Sequence, residues 1–370
     1  MKTNTLVVLT TFTLLGTSPS STPAEGWDLT GEVIERSVMG RSALSMRTGR
    51  AIDRGVSLQD GTIEFDLAVT RHRSFAYIQF RMQSDTEYEE IYFRPHKSSL
   101  PDAIQYTPVY KGVANWQLYH SEGYTAPAEF QPDQWMSVRL VLEGRSLAVF
   151  VGDTAEAQLV VPRLAREPAG GYVAFRSFLP QGQPEGVYVA NFANLKVYPG
   201  DVRFDFPATG EVKAPPGTVA QWDVSEPFDP GPGAITALPS DLDNRQWTRL
   251  SVEGFGMLVF YRHLNRTQGL RRPAVLARIV VHAQEASDRR LNLGFSDEVS
   301  VFLNGRLLYY GDDSYSYTFP RRQGLMGLGQ AAIFLPLEEG RNELVLAVAD
   351  SFGGWGLMGQ FENMSGLRIN

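Results

Sequence analysis

The sequence predicts an all-β protein made of two β-sandwich (jelly-roll) domains. Three observations carry this expectation. Helical periodicity is hard to find after the first 24 residues, whereas short alternating apolar and polar runs recur, each bounded by Gly, Pro, Asp or Asn. Aromatic residues reach 11% of the chain, on the rich side, which suits pleated surfaces. A length of 370 residues exceeds one ordinary domain, and a Pro/Gly-rich stretch divides it near the middle.

Residues 1–24 read as a signal peptide. Lys2 supplies the positive start, residues 6–16 (LVVLTTFTLLG) are apolar but too short to span a bilayer, and Thr22-Pro-Ala24 offers a small residue at the cut. The mature chain is therefore expected to begin at Glu25 and to be secreted or periplasmic. No other segment approaches transmembrane length, so no membrane insertion is expected. The chain has no Cys, which excludes disulfides, thiolate metal sites and a lipid-anchored cysteine. A net charge of −7 without any Lys/Arg cluster gives no electrostatic footprint for nucleic acid.

The first series of strands runs through 61–69 (GTIEFDLAV), 74–82 (SFAYIQFRM), 89–94 (EEIYFR), 135–142 (WMSVRLVL), 146–151 (SLAVFV), 171–176 (GYVAFR) and 187–197 (VYVANFANLKV). Pro132-Asp133-Gln134 turns directly into the strand at Trp135, and Glu143-Gly144-Arg145 is a tight hairpin connection. Composition changes at Tyr198-Pro-Gly-Asp201 and stays rich in Pro and Gly through Gly233, which suits an extended connector. Domains are accordingly expected over 25–203 and 204–370, each with its own core and few contacts at the join. The second series covers 248–252, 256–262, 275–282, 290–293, 299–303, 331–334 and 342–348. Asn304-Gly305 between VSVFL and RLLYY is its clearest hairpin signal.

Several of these pieces, in order, carry a resemblance. GTIEFDL, FAYIQFRMQ, EEIYFRP, DQWMSVRLVLEGRSLAVFV, GGYVAFRS and VYVANFANLKV resemble the concanavalin-A-like (laminin-G-type) jelly rolls. More narrowly they resemble secreted domains grouped with 3-keto-disaccharide hydrolases and, distantly, family 16 glycoside hydrolases. The resemblance covers about 27–199 and implies that the last piece returns beside the first. The second half resembles the galactose-binding-like jelly roll that accompanies many glycosidases. It does so through AQWDVSEPF at 220–228, LARIVVHAQEASDRRLNLGFSDEVSVFLNGRLLYYGDD at 276–313 and GRNELVLAVAD at 340–350. That resemblance implies carbohydrate attachment or scaffolding, not catalysis.

The window 86–124 carries the functional expectation. Strand alternation places Tyr88, Glu90, Tyr92 and Arg94 on one face, with Glu89, Ile91 and Phe93 on the other. Flat rings mixed with hydrogen-bonding groups suit a sugar, whose C–H face stacks on an aromatic while its hydroxyls need donors and acceptors. Carbohydrate is therefore the expected partner, bound on the concave face of the first sandwich. Tyr92, Trp116, Tyr119, Tyr77 and Tyr106 would offer rings. Gln79, Arg81, Glu90, Arg94, His96, Gln105, Gln117 and His120 would offer polar contacts, and Trp355 in Gly353-Gly354-Trp355-Gly356 a second platform.

The rival reading is a glycosidic-bond-cleaving enzyme using Glu90 as its catalytic carboxyl with a nearby His. Glycoside hydrolysis usually needs two carboxyl groups, and the Glu-x-Asp-x-x-Glu spacing of family 16 is missing here. Arg94 beside Glu90 is expected to lower its pKa and keep it ionised. A structural or adhesion module without a small ligand is the third reading. No cofactor is implied, although Asp297-Glu298 and Asp312-Asp313 could hold Ca²⁺ through their oxygens. Phosphate loops, Gly-x-Ser-x-Gly elbows and His-Glu-x-x-His zinc motifs are absent.

Overall fold

The computed structural model describes residues 26–207, 213–265, 270, 272–319 and 323–370. The expected signal peptide, 1–24, lies outside the described residues. The first half holds thirteen strands in chain order: β1 (Trp27–Val38), β2 (Arg41–Leu58), β3 (Gly61–Val69), β4 (Phe75–Ser84), β5 (Glu87–Phe93), β6 (Ile104–Tyr110), β7 (Val113–Ala114), β8 (Thr125–Ala126), β9 (Met136–Glu143), β10 (Ser146–Val151), β11 (Leu159–Val161), β12 (Gly171–Phe178) and β13 (Ala190–Pro199).

β1 and β2 were not expected. β1 lies on a sheet edge and is half-exposed throughout, so its Glu, Arg, Ser and Thr residues dilute any apolar alternation. The two join through Met39 and Gly40, both at positive φ (44° and 79°), as in the two-residue turns whose twist matches paired strands.

β2 serves both layers of the sandwich. Leu44–Met46 pairs with β13, while the stretch from Gly49 onward pairs with β12, and β1 follows it around the bend. The bend depends on glycine. A Cβ on Gly31 would lie 2.5 Å from the carbonyl oxygen of Thr48, and one on Gly49 2.6 Å from that of Thr30. Layer I runs β1–β2–β13–β3–β9–β10–β11, and layer II runs β1–β2–β12–β4–β5–β6 with β7 and β8 on the free edge of β6. β13 returns antiparallel to β3, Val197 opposite Ile63, as the resemblance implied. Ile63, Phe65 and Leu67 from layer I meet Ile78, Phe80, Ile91, Phe93 and Phe175 from layer II. Each such buried side chain is worth about 1.5–3 kcal/mol.

The second half holds β14 (Gln221–Ser225), β15 (Trp247–Ser251), β16 (Leu258–Val259), β17 (Ala274–Ala283), β18 (Ser287–Ser296), β19 (Glu298–Leu303), β20 (Arg306–Asp312), β21 (Ala331–Leu337), β22 (Gly340–Ala349), β23 (Gly356–Phe361) and β24 (Leu367–Ile369). One sheet runs β15–β14–β17–β22–β19–β20 with β24 beside β17, and a four-stranded sheet β16–β23–β18–β21 completes the second sandwich. Asn304 and Gly305, at φ 50° and 79°, make the β19–β20 turn. The strand expected over 256–262 is only β16 followed by one helical turn, Phe260–His263. Leu258, Val259, Phe260 and Tyr261 are all buried, so their pattern carries no period by which the two could be told apart.

The halves do not have separate cores. One apolar cluster contains Leu118, Tyr119 and Tyr124 from the first half together with Phe255, Met326 and Trp355 from the second, with the rings of Tyr124 and Phe255 5.9 Å apart. The connector over 198–207 packs on the first half, with the Asp201 carbonyl accepting from Thr62 Oγ1 (2.6 Å). The loop between β7 and β8, some 80 residues earlier in the sequence, makes the junction. Val202, Phe204 and Phe206 also pack on Val141, Ala148 and Phe150, so the first half's outer surface continues past residue 203.

Candidate functional site

The pleat of β5 sends Ile91 and Phe93 into the core and Tyr88, Glu90 and Tyr92 to the outer face of layer II. Cross-strand register sets these side chains in rows. Arg176, Tyr77, Tyr92 and Gln105 form one row across β12, β4, β5 and β6, and Ala174, Gln79, Glu90 and Thr107 form the next. Within them Gln79 Nε2 donates to Glu90 Oε2 (2.8 Å). The hydroxyl of Tyr92 donates to Gln105 Oε1 (2.5 Å), and Arg94 Nη2 reaches the same oxygen (2.9 Å). The Arg176 guanidinium lies 4.5 Å over the Tyr77 ring and that of Arg94 4.9 Å over Tyr92. Tyr77 and Tyr92 have ring centres 5.7 Å apart.

This face is more tightly packed than the sequence suggests. Tyr92 is only 5% exposed, and Gln79, Glu90 and Gln105 are buried. Long Arg side chains lie along neighbouring rings and cover them. The parts that reach solvent are Arg176, whose side chain is 31% exposed, together with Phe75, Phe178, His96 and Trp116 at the ends of the rows. Beneath them, Gln79 Oε1, Arg94 Nε and Thr107 Oγ1 are buried without a protein hydrogen-bond partner.

Electrostatics also differ from expectation. Burial pushes the Glu90 carboxyl above the usual carboxylate range, with Arg176, Gln79 and Arg50 pulling the other way. Arg94 does not act on it, because its guanidinium turns to Gln105 and to Asp102 (3.1 Å). Glu89 is likewise pushed up by burial, on the opposite face, where Tyr106 and Arg81 oppose the shift. His96 is lowered to about 4 by burial and by Arg73, and its Nδ1 lies 3.2 Å from the Ser74 carbonyl oxygen.

Several expected contact residues point elsewhere. Arg81 sits at positive φ (50°) where the β4–β5 register shifts. This breaks the alternation with Tyr77 and Gln79 and turns its guanidinium to Glu89 (3.5 Å), Asp60 (3.0 Å) and the Gly144 carbonyl. Tyr106 lies between the layers, donating to Glu89 Oε1 (2.5 Å) and accepting the Ala165 N–H. Tyr119 donates to Glu253 Oε1 (2.9 Å), His120 Nε2 lies 2.8 Å from the Met326 carbonyl, and Gln117 is buried against Asp297 (3.4 Å). Trp355 is a core residue: its Nε1 donates to the Val348 carbonyl and its ring packs on Phe260 and Tyr261. Arg81, Tyr106, Gln117, Tyr119, His120 and Trp355 thus hold the sandwich and its junction together.

The four carboxylates considered for Ca²⁺ are each engaged by a different protein donor. Asp297 Oδ2 accepts from the Ser351 N–H and hydroxyl and from the Phe352 N–H, and Glu298 takes both arms of Arg272. Asp312 accepts from Ser314 and Asp313 from Gln330. Among the described residues no three acidic or His side chains converge as a metal site.

Sequence reasoning missed Arg176 and Thr107. Alternation within GYVAFRS already puts Arg176 opposite Phe175, so its outward face was readable. Its place beside Tyr77 was not, because the β12–β4 pairing joins segments about 100 residues apart.

No family model matches the chain, and no curated protein matches it. Among solved structures it is similar to the carbohydrate-binding module CBM66 from Bacillus subtilis (12% identity, 46% of this chain and 93% of that one, TM-score 0.35). It is also similar to the Bacillus licheniformis β-glucanase (14%, 49% and 95%, TM-score 0.35) and to a Bacteroides ovatus mixed linkage glucan GH16 protein (11%, 48% and 97%, TM-score 0.35). The likeness is distant, and no residue role is transferred from it.

Proposed function

We propose that the chain recognises carbohydrate on the outer face of layer II, around Tyr77, Tyr92 and Arg176. One observation carries the reading: the tilted rings of Tyr77 and Tyr92, each beneath a guanidinium (Arg176 and Arg94), lie in one row with the Gln105 amide on the outer face. The Arg176 guanidinium, with 31% of its side chain exposed, offers donors to sugar hydroxyls. Flat rings and guanidinium planes in that row supply the apolar side of a sugar site. Export of the chain belongs to the same reading, since the expected signal peptide would bring it to extracellular glycans.

The glycoside-cleaving alternative would use Glu90, whose raised pKa suits a general acid. The charged groups acting on Glu90 are Arg176 and Arg50, both cations, and Glu89 lies on the other side of the strand. A carboxyl so placed fits a hydrogen-bond acceptor for sugar hydroxyls better than half of a catalytic pair.

A glycan array on the chain, repeated with Arg176→Ala, tests the proposal. Binding to a defined glycan class that falls about tenfold in the variant, at unchanged melting temperature, supports it. Binding that ignores Arg176, or no binding at all, rejects it.

A further inference from the structure

Resting on that reading, we propose that the saccharide site continues across the junction between the halves. Trp116, Tyr315 and Phe352 form a second stacking station, so the ligand is a stretch of glycan several sugars long rather than one terminal sugar.

The row Arg176–Tyr77–Tyr92–Gln105 does not stop at the last strand. Gln105 Nε2, at the β6 end of the row, donates to the Trp116 carbonyl oxygen (2.7 Å) and thereby fixes the loop that carries the indole. The indole meets two rings of the second half edge-on, Tyr315 at 5.7 Å and Phe352 at 6.2 Å, and these lie 5.6 Å from each other. Phe352 is 56% exposed, although a phenyl ring would ordinarily be buried. It is also held rigidly: its backbone N–H donates to Asp297 Oδ2 (2.8 Å), and the other oxygen of that carboxylate is met by Gln117, the residue next to Trp116. One buried carboxylate therefore bonds both the Phe352 backbone and the residue next to Trp116. Further along the same rim Arg73 lies 4.7 Å over Tyr317, which is 72% exposed.

Exposed rings on a fixed backbone, bordered by cations and amides, mark a binding surface. Here it is continuous with the proposed sugar row, which makes glycan its occupant. Strand spacing of about 4.8 Å gives roughly 14 Å from Arg176 to Gln105, before Trp116 and Phe352 extend the line. A single hexose covers about one of these rings, so several sugars are needed to span the whole.

The test is isothermal titration of the whole chain with purified glucan, mannan, xylan and galactan ladders of about two to eight units, comparing the wild type with Phe352→Ala and Arg176→Ala. The continuation requires wild-type affinity to rise with chain length before levelling. It also requires Phe352→Ala to lose about tenfold on long ladder members and nothing on short ones, with an unchanged melting temperature. Arg176→Ala should weaken every length. Length-independent affinity, or a Phe352→Ala effect that is nil or equal at all lengths, overturns the continuation while leaving the first-sandwich site in place. If the wild type binds no ladder, the sugar reading itself fails and takes the continuation with it.

Discussion

Gln117 of the first half and Asp297 of the second are 180 residues apart in sequence, yet both are buried and Gln117 Nε2 lies 3.4 Å from Asp297 Oδ1. Around them Tyr119 and His120 bond to Glu253 and Met326 of the second half, while Gly324 and Gly353 come close to Gln117 and Gly354 to Leu118. The halves are therefore joined by a polar pair inside an apolar seam.

The seam predicts a single cooperative unit. Expressed separately, 25–203 would expose Leu118, Tyr119 and Tyr124, and 204–370 would expose Phe255, Met326 and Trp355. Calorimetry of the intact chain should show one transition, and the separate halves should aggregate or require each other's presence to stay soluble. Two independent transitions, each reproduced by an isolated half, would contradict this.

Gly353→Ala should destabilise the chain by about 1–3 kcal/mol in denaturant titration. Its φ is +89°, and an added Cβ would stand 2.6 Å from both Gln117 Oε1 and the Trp116 ring nitrogen. Gly144→Ala, where a Cβ meets nothing despite positive φ, is the control for backbone strain alone. Equal losses at both positions would show that the seam is not the cause.

Tyr92 separates packing from recognition. Tyr92→Phe removes the hydrogen bond to Gln105 and should cost about 1 kcal/mol, leaving the ring in place. Tyr92→Ala also removes the ring packed against Phe75 and Tyr77 and should cost about 3–5 kcal/mol. Melting curves of the two variants decide it. Near-neutral Tyr92→Ala would mean that the outer face is open rather than packed.

Four carboxyls, Glu89, Glu90, Glu253 and Asp297, are pushed above their ordinary values of 4.5 and 3.8, chiefly by burial. The folded chain then holds protons more tightly than the unfolded one. Their contribution is fully present below the ordinary carboxylate pKa and is lost as pH rises through the folded values. Asp102, lowered with help from Lys97 and Arg94, acts in the opposite sense as a single group. The melting temperature should fall as pH rises above the ordinary carboxylate range, and Glu90→Gln, which keeps an acceptor for Gln79, should make the fall shallower. An identical slope in that variant would show that Glu90 ionises as freely folded as unfolded.

The sequence by itself determined whatever depends on neighbouring residues. Alternation assigned Ile91 and Phe93 to the core and Glu90 and Tyr92 to the other face, because successive Cβ atoms must point to opposite sides of a strand. Asn304-Gly305 fixed a hairpin because both residues accept positive φ. Arg81 escaped the same rule, since a register shift that depends on pairing with β5 turned it inward. Only the tertiary structure decided how far Tyr92 is covered, that Trp355 is core, and that Gln117 meets Asp297. Burial is set by which strands and loops pack together, from neighbours such as Tyr77 beside Tyr92 to Asp297 against Gln117, 180 residues apart, and no local pattern encodes those pairings.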